Sequence, residues 1–143
     1  MGMETKSKTA ITIDTVVKSP VDKVWAYWNE AKHITKWAFA SDEWHSPKAE
    51  NDLREGGRFT TTMAAKDGSM SFDFSGVYTK VEPGKLIEYT TDDDRKVTVA
   101  FSGNGNETKI IETFEAESIN PIEMQRGGWQ AILNNFKKYT EAN

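Results

Sequence analysis

The chain has 143 residues, the length of one ordinary domain, and its five Trp, four Tyr and seven Phe are enough to build a sizeable core. It has 18 Lys and Arg against 22 Asp and Glu, and the net charge of −4 argues against nucleic acid as a partner. The lack of cysteine excludes disulfides and thiol chemistry, and no apolar run approaches the length of a membrane span.

The N-terminal stretch MGMETKSKTA has no apolar core, so it is not a secretory signal. It begins like a myristoylation signal, but that motif needs Ser or Thr at position 6, where this chain has Lys6. We therefore expect a soluble, cytoplasmic monomer that binds no membrane, with residues 1–8 flexible.

The first predicted elements are a strand and two short helices. Thr9–Val17 alternates apolar and polar residues, as a half-buried strand does. Ser19 is expected to cap the first helix, with Pro20 in its first turn. Glu30–Phe39 is predicted to form the second helix. The residues predicted to face inward from the two helices are Val21, Val24, Trp25, Trp28, Ile34 and Trp37.

The next segment is expected to be mostly loop, with a short edge strand near Lys48–Asn51. The clearest pattern follows it, because Asp67 and Gly68 are typical of a two-residue hairpin turn. Such a turn pairs Met63 with Phe72, Thr61 with Phe74, and Phe59 with Gly76. One face of this hairpin carries Phe59, Met63, Met70, Phe72, Phe74 and Tyr78. We expect Met63, Phe72 and Phe74 to be buried in one internal space.

Three more strands are predicted, separated by the turns EPGK, DDDR and SGNGNE. The tip DDDR is expected to lie in solvent. The middle strand places Val97, Val99 and Phe101 on one face. A terminal helix, capped by Asn120, is expected to run to about Tyr139.

The order of elements is therefore strand, two short helices, five or six antiparallel strands and one long helix, which is an α+β pattern. A single long sheet must bury one face, and the terminal helix is the only element large enough to cover it. We predict one domain over residues 1–143, in which a curved antiparallel sheet wraps around the C-terminal helix.

Five stretches, by their order and spacing, resemble a known family: SPVDKVWAYW, HITKW, GGRF, GVYTKVEPGKLIEYT and GWQAILNNF. The order resembles the helix-grip fold of the START-like (SRPBCC) superfamily. The details look like the branch named after the ATPase activator of the ninety-kilodalton heat-shock protein (AHSA-like). The resemblance implies a cavity between helix and sheet that opens near the two short helices. Members include small-molecule binders, cyclases and co-chaperone domains, so the fold does not fix the function.

The terminal helix contains two adjacent glycines, each costing about 1 kcal/mol relative to alanine in a helix interior. With Trp129 facing inward, Leu133 shares its face, Gly128 lies at the edge of that face, and Gly127 points outward. Gly128 either permits a close backbone approach or leaves space for a ligand. Gln125 and Arg126 also face inward, and either mark the helix leaving the core or line the mouth of a cavity.

Glu112 lies between Ile110 and Phe114 on the inward face of the last strand, so its carboxyl group is expected in the cavity. A buried charge needs a partner, water or a proton. We expect an ion pair, for which the candidate partners are Arg54, Arg58, Arg126 and His45. If burial dominates instead, Glu112 is a candidate proton donor or acceptor, with His45 as a second acid or base.

No metal site or cofactor is predicted, because no histidines or carboxylates have ligand spacing and no phosphate-binding loop or G-x-S-x-G elbow is present. We expect binding of a small apolar or amphipathic molecule. The alternatives are a cyclase- or hydrolase-like enzyme and a module that interacts with a chaperone. The expected ligand-binding residues are Trp25, Trp37, Phe59, Met63, Phe72, Phe74, Tyr78, Glu112, Gln125, Arg126, Gly128, Trp129 and Leu133.

Overall fold

The computed structural model describes residues 9–143, so the expectation that residues 1–8 are flexible lies outside the described residues. Seven strands and three helices follow one another within this range. In chain order they are β1 (Ala10–Val17), α1 (Val21–Asn29), α2 (Ala31–Trp37), β2 (Trp44–Asn51), β3 (Arg58–Ala65), β4 (Ser71–Glu82), β5 (Leu86–Thr91), β6 (Lys96–Asn104), β7 (Glu107–Glu115) and α3 (Ile122–Ala142).

The strands form one antiparallel sheet in the order β1-β7-β6-β5-β4-β3-β2. The sheet is curled, and the 21-residue helix α3 packs against its inner face. The predicted α+β helix-grip fold is confirmed. None of the helices within residues 9–143 is both long and apolar enough to span a membrane.

The register predicted for the β3–β4 hairpin is confirmed, but its turn is longer than expected. The observed pairs are Met63 with Phe72, Thr61 with Phe74, and Phe59 with Gly76. The backbone N–H of Ala65 donates to the carbonyl of Met70 at 2.8 Å, so residues 66–69 form the loop. Gly68 has a φ of +80°, and the Asp67 carboxylate accepts a hydrogen bond from the Ser69 N–H at 2.8 Å. This side-chain bond holds a four-residue loop that preserves the register.

Both predicted helix caps are wrong by one residue. The cap positions belong to Pro20 and Pro121, whose backbones are not helical and which form no side-chain cap hydrogen bond. Ser19 is buried, and its backbone carbonyl accepts a hydrogen bond from Thr108. The Asn120 side chain instead donates to the Glu117 carboxylate at 2.7 Å.

The edge strand β2 is twice as long as the predicted Lys48–Asn51 segment, and it begins at Trp44. Its pairing with β3 is interrupted by a register shift between His45 and Lys48. Proline has no N–H to donate to a ladder, and Pro47 lies within this interruption, where no ladder hydrogen bond is required of it. The bulge breaks the simple alternation from which a strand is recognised.

An aromatic cluster joins the three helices to the sheet. Trp28 on α1 packs edge-on against Phe136 of α3, with ring centroids 4.8 Å apart, and against Phe101 of β6 at 5.7 Å. It also packs against Trp37 of α2 at 5.0 Å. These contacts fix the C-terminal half of α3 over the sheet. The cavity described below extends from this cluster towards the beginning of α3.

Candidate functional site

A cavity of about 360 Å³ lies between α3 and the inner face of the sheet. Most of its wall is aromatic or aliphatic, as is usual for sites that bind small organic molecules. Helix α3 contributes Met124, Gln125, Gly128, Trp129, Ile132 and Leu133. The sheet contributes Asn51, Phe59, Thr61, Met63, Phe72, Phe74, Tyr78, Tyr89 and Glu112. Trp28, Ile34, Trp37 and Ala38 close one end, and Arg95, Glu117 and Asn120 complete the wall.

The cavity reaches the surface between the β3–β4 hairpin and the beginning of α3. Phe72 and Met124 both line it and remain 48% and 62% exposed. The expectation that Phe72 is buried is therefore wrong, and Met63 and Phe74, for which burial was also expected, are only half-buried. Phe72 is the second residue of β4, where its ring meets the Trp44 ring at 5.9 Å, and it stays exposed at the mouth. The resemblance implied an opening near the two short helices. The α2 residues in the wall are buried, so the opening is not there.

Trp129 faces inward, as predicted, and forms the wall on the helix side. Its indole ring stacks on the ring of Phe114, with centroids 4.0 Å apart and planes 8° from parallel. It also meets Phe74 edge-on at 5.7 Å. Trp129 therefore connects α3 to β4 and β7 across the sheet.

Gly128 leaves space rather than permitting a close backbone approach. A Cβ atom built on this residue would meet no atom within 4 Å outside the local helix backbone, and the residue lines the cavity. A Cβ atom on Gly127 would also meet open space, but Gly127 is exposed and is not in the wall. The structure offers no explanation for Gly127.

Glu112 faces the cavity, as predicted, and is only 5% exposed. Its carboxyl group forms no hydrogen bond or ion pair with any other residue in the described range 9–143. Burial raises the pKa of Glu112 from 4.5 to about 8. The cavity therefore contains a carboxyl group that is mostly protonated at neutral pH.

The predicted ion pair of Glu112 is wrong, because each candidate partner is held elsewhere. The Arg126 guanidinium donates to the carbonyl of Thr12 on β1 at 3.1 Å and lies outside the cavity wall. The other three candidates are also engaged or remote: Arg54 pairs with Asp52, Arg58 pairs with Asp92, and His45 is exposed on β2.

Tyr89 and Arg95 also line the cavity, although the sequence did not identify them as site residues. The Tyr89 hydroxyl has no hydrogen-bond partner within residues 9–143. Burial raises the pKa of Tyr89 well above its usual value, the charges of Glu112 and Tyr78 raise it further, and Arg95 opposes them. Tyr89 could have been found by alternation along β5, which places it on the same face as Ile87 and Thr91. All three side chains are buried.

Arg95 corrects the expectation that the DDDR tip lies wholly in solvent. Its side chain is only 14% exposed, because it folds back towards the sheet. The guanidinium donates from Nε to the Asp93 carboxylate at 2.8 Å and from Nη1 to the Glu115 carbonyl at 3.2 Å. The Arg95 guanidinium is therefore bound to its own turn and to β7.

Three further polar residues of the wall, Tyr78, Asn51 and Gln125, have structural partners. The Tyr78 hydroxyl donates to the Asn51 side-chain oxygen, and burial raises the pKa of Tyr78. The Asn51 amide in turn donates to the Asn29 carbonyl at 2.6 Å, which links β4, β2 and α1. The Gln125 amide donates to the Glu117 carbonyl at 3.0 Å and so ties α3 to the segment after β7.

The structure brings most of the predicted site residues together in one wall. These are Trp37, Phe59, Met63, Phe72, Phe74, Tyr78, Glu112, Gln125, Gly128, Trp129 and Leu133. Trp25 and Arg126 are not in the wall. Trp25 packs edge-on against Phe101 at 5.2 Å. In the part of the chain that is described, no three His, Asp or Glu side chains are grouped so as to hold a metal ion.

The family model described as Activator of Hsp90 ATPase homolog 1-like protein matches residues 18–141. The chain belongs to this family. It is 42% identical to an AHSA1-like protein from Aeromonas hydrophila, with a TM-score of 0.88 over 94% of this chain and 93% of that one. It is 59% identical to a protein from Cytophaga hutchinsonii, with a TM-score of 0.79 over 93% and 92% of the two chains. A search of curated proteins found no match.

A more distant protein from Nitrosomonas europaea, 17% identical, shares the fold with a TM-score of 0.81 over 96% of this chain and 97% of that one. The AHSA1-like branch of the START-like superfamily, which the sequence resembles, is thus confirmed as the family of this chain.

Proposed function

We propose that this protein binds a small apolar or amphipathic molecule in the cavity between α3 and the sheet. One observation carries the proposal: an apolar, aromatic wall encloses about 360 Å³ and holds two polar groups, the Glu112 carboxyl and the Tyr89 hydroxyl, that have no partner within residues 9–143. Ligand sites commonly have volumes of about 300–1,000 Å³ and combine apolar walls with a few polar groups that orient the ligand.

The enzyme alternative has less support. A general acid or base must lie within hydrogen-bond reach of the proton that it transfers. Glu112 has the proton affinity for such a role, but His45, its expected companion, is exposed on β2 and is not in the cavity wall. Tyr89 remains protonated at neutral pH, because its pKa is raised well above its usual value. This pair of groups is better suited to holding a ligand than to moving protons.

The chaperone alternative draws on the family description and on exposed apolar residues. Exposed large side chains include Met70 and Phe72 on the hairpin side, Ile119 just before α3 and Met124 at the beginning of α3. Phe72 and Met124 also line the cavity, so ligand entry accounts for their exposure without a protein partner. We therefore place this alternative second.

Native mass spectrometry of gently purified protein tests the proposed function. We expect a fraction of the protein to carry an additional mass that is released on unfolding and is rebound after refolding. The released molecule should be apolar or amphipathic. A protein that carries no such mass, and that takes up none from a small-molecule extract of cells, would contradict the proposal.

A further inference from the structure

Glu112 lies in an apolar part of the sheet. Its neighbours across the strands are Ile13 on β1 and Val99 on β6, and its neighbours on the same face of β7 are Ile110 and Phe114. These apolar side chains offer a carboxylate neither hydrogen bonds nor an opposite charge in place of the water that it loses on burial. The cavity is the direction from which a compensating group can come.

The charged and titratable groups around the cavity leave Glu112 without a cation. Tyr78 and Tyr89 face the cavity from β4 and β5, Glu117 from the segment after β7, and Arg95 from the turn before β6. Arg95 is paired with Asp93, and burial is the cause of the raised Glu112 pKa. Helix α3 adds only the neutral amide of Gln125, because the Arg126 guanidinium is turned to Thr12.

The rest of the wall is rich in aromatic rings. Trp129, Phe74, Phe59, Tyr78 and Tyr89 form a continuous series of ring contacts, with neighbouring centroids between 4.7 and 6.2 Å apart. Aromatic faces attract organic cations, and desolvation strengthens that attraction. A lone carboxyl group among aromatic rings is the chemistry that recognises an ammonium group.

We infer that the ligand of this cavity is an amphiphile with an organic ammonium group, which pairs with the Glu112 carboxylate while its apolar part lies against the aromatic wall. This inference deepens the proposed function and rests on it. An ammonium group within about 4–6 Å favours the ionised carboxylate and so reverses the effect of burial. The Tyr89 hydroxyl, which is close enough to feel the charge of Glu112, offers an oxygen to the same group.

An anionic ligand fits the wall less well. Such a ligand would meet the carboxyl group of Glu112, whereas the cation Arg95 is already paired with Asp93. A neutral alcohol can bind the protonated carboxyl group but offers no counter-charge to the ionised one. Charge complementarity therefore favours the cation wherever Glu112 is ionised.

Three probes with the same eight-carbon chain test the inference: n-octylammonium, 1-octanol and octanoate, titrated calorimetrically from pH 6 to pH 9. Because only the ionised carboxylate pairs with the cation, we expect n-octylammonium affinity to fall about tenfold for each pH unit below 8. The affinity of 1-octanol should not rise with pH. Octanoate should bind more weakly than either.

Glu112→Gln should remove the pH dependence and weaken n-octylammonium binding at pH 9 by about tenfold or more, while changing 1-octanol affinity by less than about threefold. Glu107→Gln, at an exposed position on the same strand, is the matched control and should behave like the wild type. The wild-type pH profile tests the inference independently of either variant.

Binding of 1-octanol or octanoate as tight as that of n-octylammonium at pH 9 would overturn the inference and leave the proposed function intact. A cation preference that survives Glu112→Gln would do the same. Failure of all three probes to bind would count against the inference and the proposed function together.

Discussion

Trp129 on α3 lies face to face with Phe114 on β7, their ring centroids 4.0 Å apart and their planes 8° from parallel. Phe114 is fully buried and follows Glu112 by two residues on the same face of the strand. Trp129 also lines the cavity. One ring contact therefore anchors the long helix and positions the cavity wall beside the buried carboxyl group.

Phe114→Ala should lower the free energy of unfolding by about 3–5 kcal/mol, because it removes a fully buried ring and one side of the stack. Phe72→Ala is the matched control and should cost less than about 1 kcal/mol, since Phe72 is half exposed. Urea denaturation followed by circular dichroism measures both values. Equal losses from the two substitutions would show that the stack does not anchor α3.

Glu112 should make the protein less stable as the pH rises. Burial raises its pKa from 4.5 to about 8, so between these values the folded state holds a proton that the unfolded state has released. The stability contributed by this group is fully present below pH 4.5 and is lost by about 1.4 kcal/mol per pH unit up to pH 8.

Glu112→Gln cannot ionise, so its stability relative to the wild type should increase steadily from pH 5 to pH 8. Urea denaturation at each pH measures this difference. Glu107→Gln should follow the wild type throughout. A Glu112→Gln curve parallel to that of the wild type would mean that the carboxyl group is solvated or paired in solution.

Gly128→Leu should block uptake of 1-octanol, because the new side chain would occupy space within the cavity. It should not destabilise the fold, since a Cβ atom at this position meets no atom within 4 Å and leucine favours helix over glycine. Gly127→Leu, one residue away and outside the wall, is the control and should bind as the wild type does. Titration by calorimetry with thermal melting of each variant makes the comparison, and equal affinities would refute the assignment.

Tyr78→Phe should cost about 1 kcal/mol, because it removes the hydrogen bond to the half-buried Asn51 side-chain oxygen. The loss should fall on β2, which Asn51 ties to α1 through the Asn29 carbonyl. Hydrogen exchange of the β2 amides would report it. Tyr27→Phe is the control, since its hydroxyl reaches only the carbonyl of the last residue, Asn143, at 3.3 Å.

The strands and their faces could be predicted because the information is local. Alternation with a period of two, bounded by turn residues, set the β3–β4 register and turned Glu112 inward. The Asp67 loop shows that a register can be correct while its turn is not, because two loop lengths preserve the same pairs. The proline caps show a similar limit of one residue at helix boundaries.

The partners of long side chains could not be predicted, because they depend on geometry between distant elements. Arg126 shares the inward face of α3 by periodicity, yet its guanidinium reaches the Thr12 carbonyl rather than Glu112. Arg95 follows three aspartates and reads as solvated, yet it folds back to the Glu115 carbonyl. Phe72 points to the face of the sheet that alternation predicts, but it is exposed because α3 does not cover that end of the hairpin. Alternation indicates the face of a residue and not how far a helix covers that face.

Methyl NMR tests most directly the central claim that the cavity between α3 and the sheet binds a small amphiphile. The isoleucine and leucine methyl groups of Ile34, Ile132 and Leu133 lie in the wall, whereas Ile111 and Ile119 are exposed outside it. Titration with 1-octanol should shift the three wall residues saturably, with one shared dissociation constant and direct contacts to the ligand chain, and leave Ile111 and Ile119 unchanged. Shifts confined to Ile111 and Ile119, or no saturable shift in the wall, would contradict the account.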